Sequence, residues 1–371
     1  MSGPGVAFMG VGFTPIERTP TRTALGYALD AALDAITDAG LTRDDIDGYV
    51  GSAAAPTPGA AHTDGADEVS MYLMTRGLGL SGLGWIADVQ GMPAGMAVAA
   101  ASAIRAGDCR YVLGVRVMYR LPDRRYGAGS GGTALGEDQY TLPFGAGPGG
   151  TRFATAARRY LELSGARRED LYEVVATARR HAALNPGAVW RDRAVSRQEY
   201  LDARMIADPL CLYDCDLPVC GAGAFVLAAA DRAGHGPHRP AHIAGWSNWT
   251  RPPEAVFSHS GRPRERIDVA QLYDGYSSFV YHWLEELGWC KPLQAWRFVS
   301  EGRTALGAEL PVNTFGGSLG EGRLHGIGHL REAILQVSGR AGARQVPEAR
   351  DCLVQIGPPD KAWSMVVSAD G

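Results

Sequence analysis

Between Pro311 and His329 the chain holds six glycines, two histidines, one arginine and one glutamate in nineteen residues. Ile327, Leu330, Ile334 and Val337 then recur at three- and four-residue steps, the period of an amphipathic helix, and Gly339 stands where a left-handed cap belongs. A glycine-rich loop that feeds a helix N-terminus points backbone N–H groups at whatever lies in front of it. It favours negative charge there, such as a thioester oxyanion, an enolate or a phosphate. A plain surface connection is filled with Ser, Asn and Pro rather than ionisable side chains. Gly316, Gly317 and Gly322 are therefore candidate donors, and Arg323 and His325 candidate reacting groups.

At 371 residues the chain can bury a large core, as one domain or two similar halves. A net charge of −4, spread without blocks, gives no footprint for nucleic acid. No apolar run is long enough for a bilayer span, and the opening MSGPGVAFMGVG lacks a charged n-region. The six cysteines show no regular pairing, so reduced thiols and a cytoplasmic setting are expected. Cys211, Cys215 and Cys220 lack the two-residue spacing of a zinc knuckle, and no metal is expected.

Strands are expected at Val6–Phe13, Asp45–Ser52, Trp85–Val89 and Asp108–Val115, with helices at Thr23–Gly40 and Met96–Ala106. The second of these helices is rich in alanine, which suits a fully buried, central place. Residues 118–150 are rich in Gly, Pro and Arg, and a loop this long in a compact protein is usually functional or an interface. Helices follow at Thr151–Ser164 and Arg168–His181, a polar region at Asn185–Arg204, and a buried strand at Ala222–Ala230. Asp231–Pro240 reads as a linker, with His235 and His238 facing solvent. Further strands are expected at His242–Trp249, Ile267–Tyr273, Asp351–Gly357 and Trp363–Ser368, and a helix at Phe279–Leu287. The alternation means an α/β protein with helices packed on mixed or parallel sheets. Two echoes, Asp108–Gly114 with Asp351–Gly357 and DIDGYVGS with QLYDGYSS, suggest two similar βαβ halves. We place them at 1–235, with an inserted loop region at about 118–220, and at 236–371.

Four segments carry a resemblance: GMAVAAASAIRAGDCRYVLGV, ADPLCLYDCDLPVCGAGAFVL, QLYDGYSSFVYHWLEELGWC and VNTFGGSLGEGRLHGIGH. Together they make nearly the whole chain resemble the thiolase superfamily, in its lipid-transfer-protein or sterol-carrier-protein-type branch. The last two look most like the steroid side-chain aldolases. The resemblance implies the thiolase fold, with layers α-β-α-β-α. It also implies retro-aldol cleavage of a β-hydroxyacyl-CoA, a homodimer whose pairing edge is Trp85–Val89, and a DUF35-type OB-fold/zinc-ribbon partner in an α2β2 heterotetramer. An acyl-CoA or acyl-carrier thioester is the substrate, and no cofactor is implied.

The departures from true thiolases bear on mechanism. The position of the nucleophilic cysteine before the alanine-rich helix falls near Gln90, and Gln90, Gly91 and Met92 offer no nucleophile. The Gly-His-Pro motif falls on Gly322-Arg323-Leu324, the second catalytic cysteine on Gln355, and the Asn-Glu or His-Asp motif on Tyr273-Asp274. Cys109 and Cys352 read as packing thiols. Tyr273 remains as a general acid/base, with a nearby cation favouring its phenolate. In the aldolases a second tyrosine matches the place of Arg323, which cannot itself act as an acid–base near neutral pH. Arg323 is instead expected to lower the pKa of Tyr273 or to hold an oxyanion, unless it is simply the salt-bridge partner of Glu321 or Asp274. His325 stands either as a catalytic group or as a histidine at a helix start, Asp274 as the residue that orients the loop, and His329 as surface or packing. Gln90 and Gln355 join the glycines as substrate-binding candidates. Two other functions stay open: a cysteine-less Claisen-type acyltransferase of natural-product biosynthesis, and a non-catalytic subunit whose partner carries the activity.

Overall fold

The computed structural model describes residues 5–51, 69–89, 92–120, 134, 136–145 and 150–371. Its strands are β1 (Val6–Phe13), β2 (Gly48–Gly51), β3 (Trp85–Asp88), β4 (Tyr111–Met118), β5 (Met205–Ala207), β6 (Leu210–Cys211), β7 (Gly221–Ala229), β8 (Ala241–Asn248), β9 (Val269–Leu272), β10 (Asp351–Ile356) and β11 (Trp363–Ser368). Its helices are α1 (Ala24–Asp38), α2 (Met71–Leu78), α3 (Pro93–Ala106), α4 (Gly150–Ser164), α5 (Arg168–Ala182), α6 (Arg197–Leu201), α7 (Ala230–Ala233), α8 (Ala255–Ser260), α9 (Ser277–Glu286), α10 (Ala295–Ser300), α11 (Gly317–Gly320) and α12 (Ile327–Val337). Among the described residues the main sheet runs β3-β2-β4-β7-β1-β8-β11-β10-β9, and β5 and β6 pair apart from it.

One plan is used twice. β2 lies parallel to β3 and β4, β4 is antiparallel to β7, and β7 is antiparallel to β1. In the same way β9 is parallel to β10, β10 antiparallel to β11, and β11 antiparallel to β8. The place of β3 is held in the second set by a parallel bridge between Ala270 and Val312. The glycine-rich stretch after Val312 thus occupies the position that precedes α3 in the first set. The sets meet where β1 and β8 pair through Ala7–His242 and Phe8–Ala241. Of the two sequence echoes, the first falls on equivalent strands, β4 and β10. The second slips, because Asp47-Gly48 opens β2 whereas Asp274-Gly275 follows β9.

Three buried clusters define the layers. α1 and α2 cover one face of the first set, α3 and α12 share a core with strands of both sets, and α5, α9 and α10 cover the outer face of the second. The sequence permits this closeness. A Cβ on Gly12 would stand 2.1 Å from the Ala31 carbonyl oxygen, so β1 and α1 approach backbone to backbone. Met96, Ala97, Ala100 and Ala101 are all buried around α3, and Leu330, Ile334 and Val337 line α12. Full burial of each of those three α12 side chains contributes about 1.5–3 kcal/mol.

Most expected elements appear within a few residues. Thr23 caps α1, its side chain accepting from the Gly26 N–H at 3.1 Å. The strand expected at Asp108–Val115 instead occupies Tyr111–Met118. Its delay has a local cause. The Asp108 N–H closes α3 on the Ala103 carbonyl, Gly107 sits at φ +83°, and the Arg110 and Tyr111 N–H groups donate to the Asp47 carboxylate. The added residues bring Arg116 into the sheet. His238, expected in solvent, is partly covered and pairs with Asp38 at 3.0 Å. Of the irregular region, residues 136–145 form short 3-10 turns. Among the described residues no helix is long and apolar enough to cross a membrane.

Candidate active site

Three segments converge at one end of the second strand set. The first is the turn after β9, Tyr273–Tyr276. The second is Cys215–Pro218, which bridges it: the Asp216 N–H donates to the Gly275 carbonyl at 3.1 Å, and Cys215 pairs with Tyr276. The third is the glycine-rich stretch, where the Arg323 N–H donates to the Leu217 carbonyl at 2.8 Å and Arg323 bridges Pro218. Backbone ties alone therefore set Tyr273, Asp216 and Arg323 in one cluster.

Tyr273 is held through its main chain. Its N–H donates to the Gln355 carbonyl at 2.8 Å, and its carbonyl accepts from the Trp283 indole at 3.1 Å. The ring folds over Gly275, where a Cβ would stand 2.9 Å from a ring carbon. Burial and the Asp216 charge push the phenol well above its ordinary pKa, and the Arg323 cation opposes them without prevailing. The resting group is a neutral phenol, so the expected cation-stabilised phenolate is corrected. Tyr276 is raised for the same leading reasons.

Arg323 Nε lies 3.9 Å from Asp216 Oδ2. Neither of its expected acidic partners takes it: Glu321 pairs with Arg331, and Asp274 with His329. His325 sits at φ +49°, a left-handed conformation in which histidine is uncommon, and its Nδ1 lies 2.7 Å from Arg116 Nη2. Burial and the charges of Arg323 and Arg116 hold the imidazole far below its usual range, so it is neutral. Arg116 is itself lowered to about 10, first by burial and then by Arg323.

Part of the glycine-rich loop is engaged within the protein. The Ser318 and Leu319 N–H groups donate to the Asp274 carboxylate at 2.7 and 3.2 Å, and the Gly316, Gly320 and Glu321 N–H groups bond within the loop. The anion before this helix terminus is the protein's own Asp274, which also meets His329 Nε2 at 3.1 Å. Asp274 thus caps this helix terminus and orients the loop. Gly316, at φ +104°, lies against Ala182, and Gly322, at φ +128°, against Val219. Gly316 is removed from the oxyanion donors because its N–H is already engaged. Gln355 is buried on β10 and accepts from the Ser364 hydroxyl. Gln90 lies outside the described residues.

No thiol of the cluster is activated. Cys215 is nearest, but burial and the charges of Asp214 and Asp216 hold its pKa well up. Cys109 is pushed up to about 11 by burial, and Cys352 is raised further. No group of metal-ligand residues occurs among the described residues.

Residues 239–357 match the thiolase C-terminal domain-like family. The chain is 32% identical to a steroid side-chain-cleaving aldolase of Thermomonospora curvata, covering 99% of both chains. The chain belongs to the thiolase superfamily, among its carbon–carbon-cleaving aldolases. A 17-hydroxy-3-oxo-4-pregnene-20-carboxyl-CoA lyase of Mycobacterium tuberculosis is 29% identical over 90% of this chain and 91% of its own. The solved Ltp2-ChsH2(DUF35) aldolase superposes with a TM-score of 0.87 at 30% identity, over 99% of this chain and 98% of that one. In this aldolase, reading the sequence missed Arg116 and Asp216, and of the two places open to His329 the structure takes packing. An arginine within the apolar run Val112–Met118 was the available signal for the first, since an arginine is almost never buried without a partner.

Proposed function

We propose that the chain cleaves a β-hydroxyacyl-CoA by retro-aldol chemistry, with Tyr273 as its general acid. The observation that carries this reading is a buried neutral phenol set beside a carboxylate and a guanidinium, with no activated thiol in the cluster. The names of the relatives favour a steroid acyl group carried on CoA rather than on a carrier protein. The Asp216 carboxylate takes the β-hydroxyl proton. The bond between the hydroxyl-bearing carbon and the α-carbon then breaks, leaving a ketone and a thioester enolate. The Tyr273 phenol gives its proton to the enolate α-carbon, and Asp216 returns the first proton to the phenolate, which Arg323 steadies meanwhile. The sum is one proton moved and one carbon–carbon bond broken, with no cofactor beyond the thioester.

The name of the solved relative supports a DUF35-type partner. We propose a homodimer carrying two such partners, α2β2, in the cytoplasm. The test is product analysis of the chain assembled with its DUF35 protein on a steroid β-hydroxyacyl-CoA. A ketone and a shortened acyl-CoA in equal amounts are expected. Acyl transfer without carbonyl release would replace this reading with a transferase, and no turnover with a non-catalytic subunit.

A further inference from the structure

The cleavage written above needs a donor for the thioester oxygen as it becomes an enolate, and much of the loop expected to supply one is already engaged. The N–H groups of Gly316, Ser318, Leu319, Gly320 and Glu321 all have partners inside the protein. His325, in the same stretch, is turned differently. Its φ of +49° is a left-handed conformation in which histidine is uncommon. Its ring contact comes from the other strand set, from Arg116 of β4, 209 residues away in sequence.

A guanidinium only donates hydrogen bonds. At 2.7 Å from Arg116 Nη2, Nδ1 of His325 must therefore be the acceptor, and the ring proton belongs on Nε2. This inverts the common arrangement in which a carboxylate or carbonyl accepts from Nδ1 and leaves Nε2 as a base. A cation behind the ring makes it a weak base and a better donor. Arg323 lies on the same side of the balance.

We propose that Arg116 is a positioning residue that locks His325 as the neutral Nε2–H tautomer, and that this N–H binds the thioester oxygen on which the enolate forms. The identity of that oxygen rests on the retro-aldol reading; the tautomer does not.

The test uses the chain assembled with its DUF35 partner and with isotope-labelled histidine. The signals of His325 are assigned by their loss in His325→Gln. Wild type is expected to show Nε2–H, and Arg116→Met a different tautomer or a mixture. Removing one oxyanion donor lowers kcat about 10²–10³-fold. Arg116→Met should fall in that range with KM changed far less, and Arg116→Lys, whose ammonium also only donates, should recover part of the loss. Adding Arg116→Met to His325→Gln should lower kcat no further. An Nδ1–H or doubly protonated ring in wild type would overturn the proposal, as would full activity in Arg116→Met. If Arg116→Met does not fold, the wild-type spectrum and Arg116→Lys still decide. The locked tautomer in a protein that cleaves no β-hydroxyacyl-CoA would sink the retro-aldol reading and leave the Arg116–His325 lock standing.

Discussion

His325 and His181 are both buried and both held below the ordinary histidine pKa, with burial the leading cause in each. His181 is fully matched as a neutral ring: Nδ1 faces the Val312 and Asn313 carbonyls, and Nε2 accepts from the Leu306 N–H at 3.0 Å. A depressed folded-state pKa means that the unfolded chain takes up protons first on acidification. The stability from these neutral rings is therefore complete above the unfolded value of about 6.5 and is lost as pH falls below it toward the folded values. Urea unfolding at pH 7 and pH 5 should show a clear drop in stability. In His325→Gln, which removes one of the two rings, that drop should be smaller. An unchanged drop would mean that His325 is not held neutral in the fold.

The joint between β9 and α11 is where one element fixes another. Asp274 follows β9, caps α11 with two backbone hydrogen bonds and receives His329 from α12. Asp274→Ala leaves those buried donors without a partner, and an unpartnered buried group costs about 1–3 kcal/mol. A loss of at least that size is expected in urea melts. Gly317→Ala should destabilise too, because its Cβ would stand 2.0 Å from an Asp274 oxygen at φ +62°. Wild-type stability in both variants would contradict the capping role. Much of this scale was legible in the sequence. Periodicity and glycine caps placed α1, α5, α12, β1 and β11 within a residue or two. His329 stayed open between surface and packing because an amphipathic helix implies a wet face, and α12 has hardly any: it lies in the central layer, with Glu332 and Gln336 buried as well. Those two side chains are satisfied by Thr314 and Arg344, a match made only by the fold. Asp216 escaped notice for a related reason. Cys215–Pro218 reaches the cluster through bridges to Tyr276 and Arg323, and no local spacing encodes pairings that distant.

Across the whole molecule, the doubled strand plan brings Arg116 from the first set to His325 beyond the second, so the cluster exists only when both sets are folded together. Among the described residues β3 ends the sheet, and its Ile86 is 44% exposed. An apolar side chain on an unpaired edge marks a pairing surface. Ile86→Lys should shift the proposed homodimer toward monomer in light scattering, and an intact dimer would move the interface elsewhere. The central claim is that the Tyr273 phenol gives its proton to the enolate that carbon–carbon cleavage leaves. Tyr273→Phe removes only that hydroxyl from a ring packed near Phe279 and His329, so the fold should persist. Steady-state cleavage of a steroid β-hydroxyacyl-CoA by this variant, assembled with the proposed DUF35-type partner, is the most direct measurement. A positioned acid contributes about 10²–10⁴-fold, and a loss of that size with an unchanged melting temperature is the result expected. Wild-type turnover by the phenylalanine variant would contradict the account.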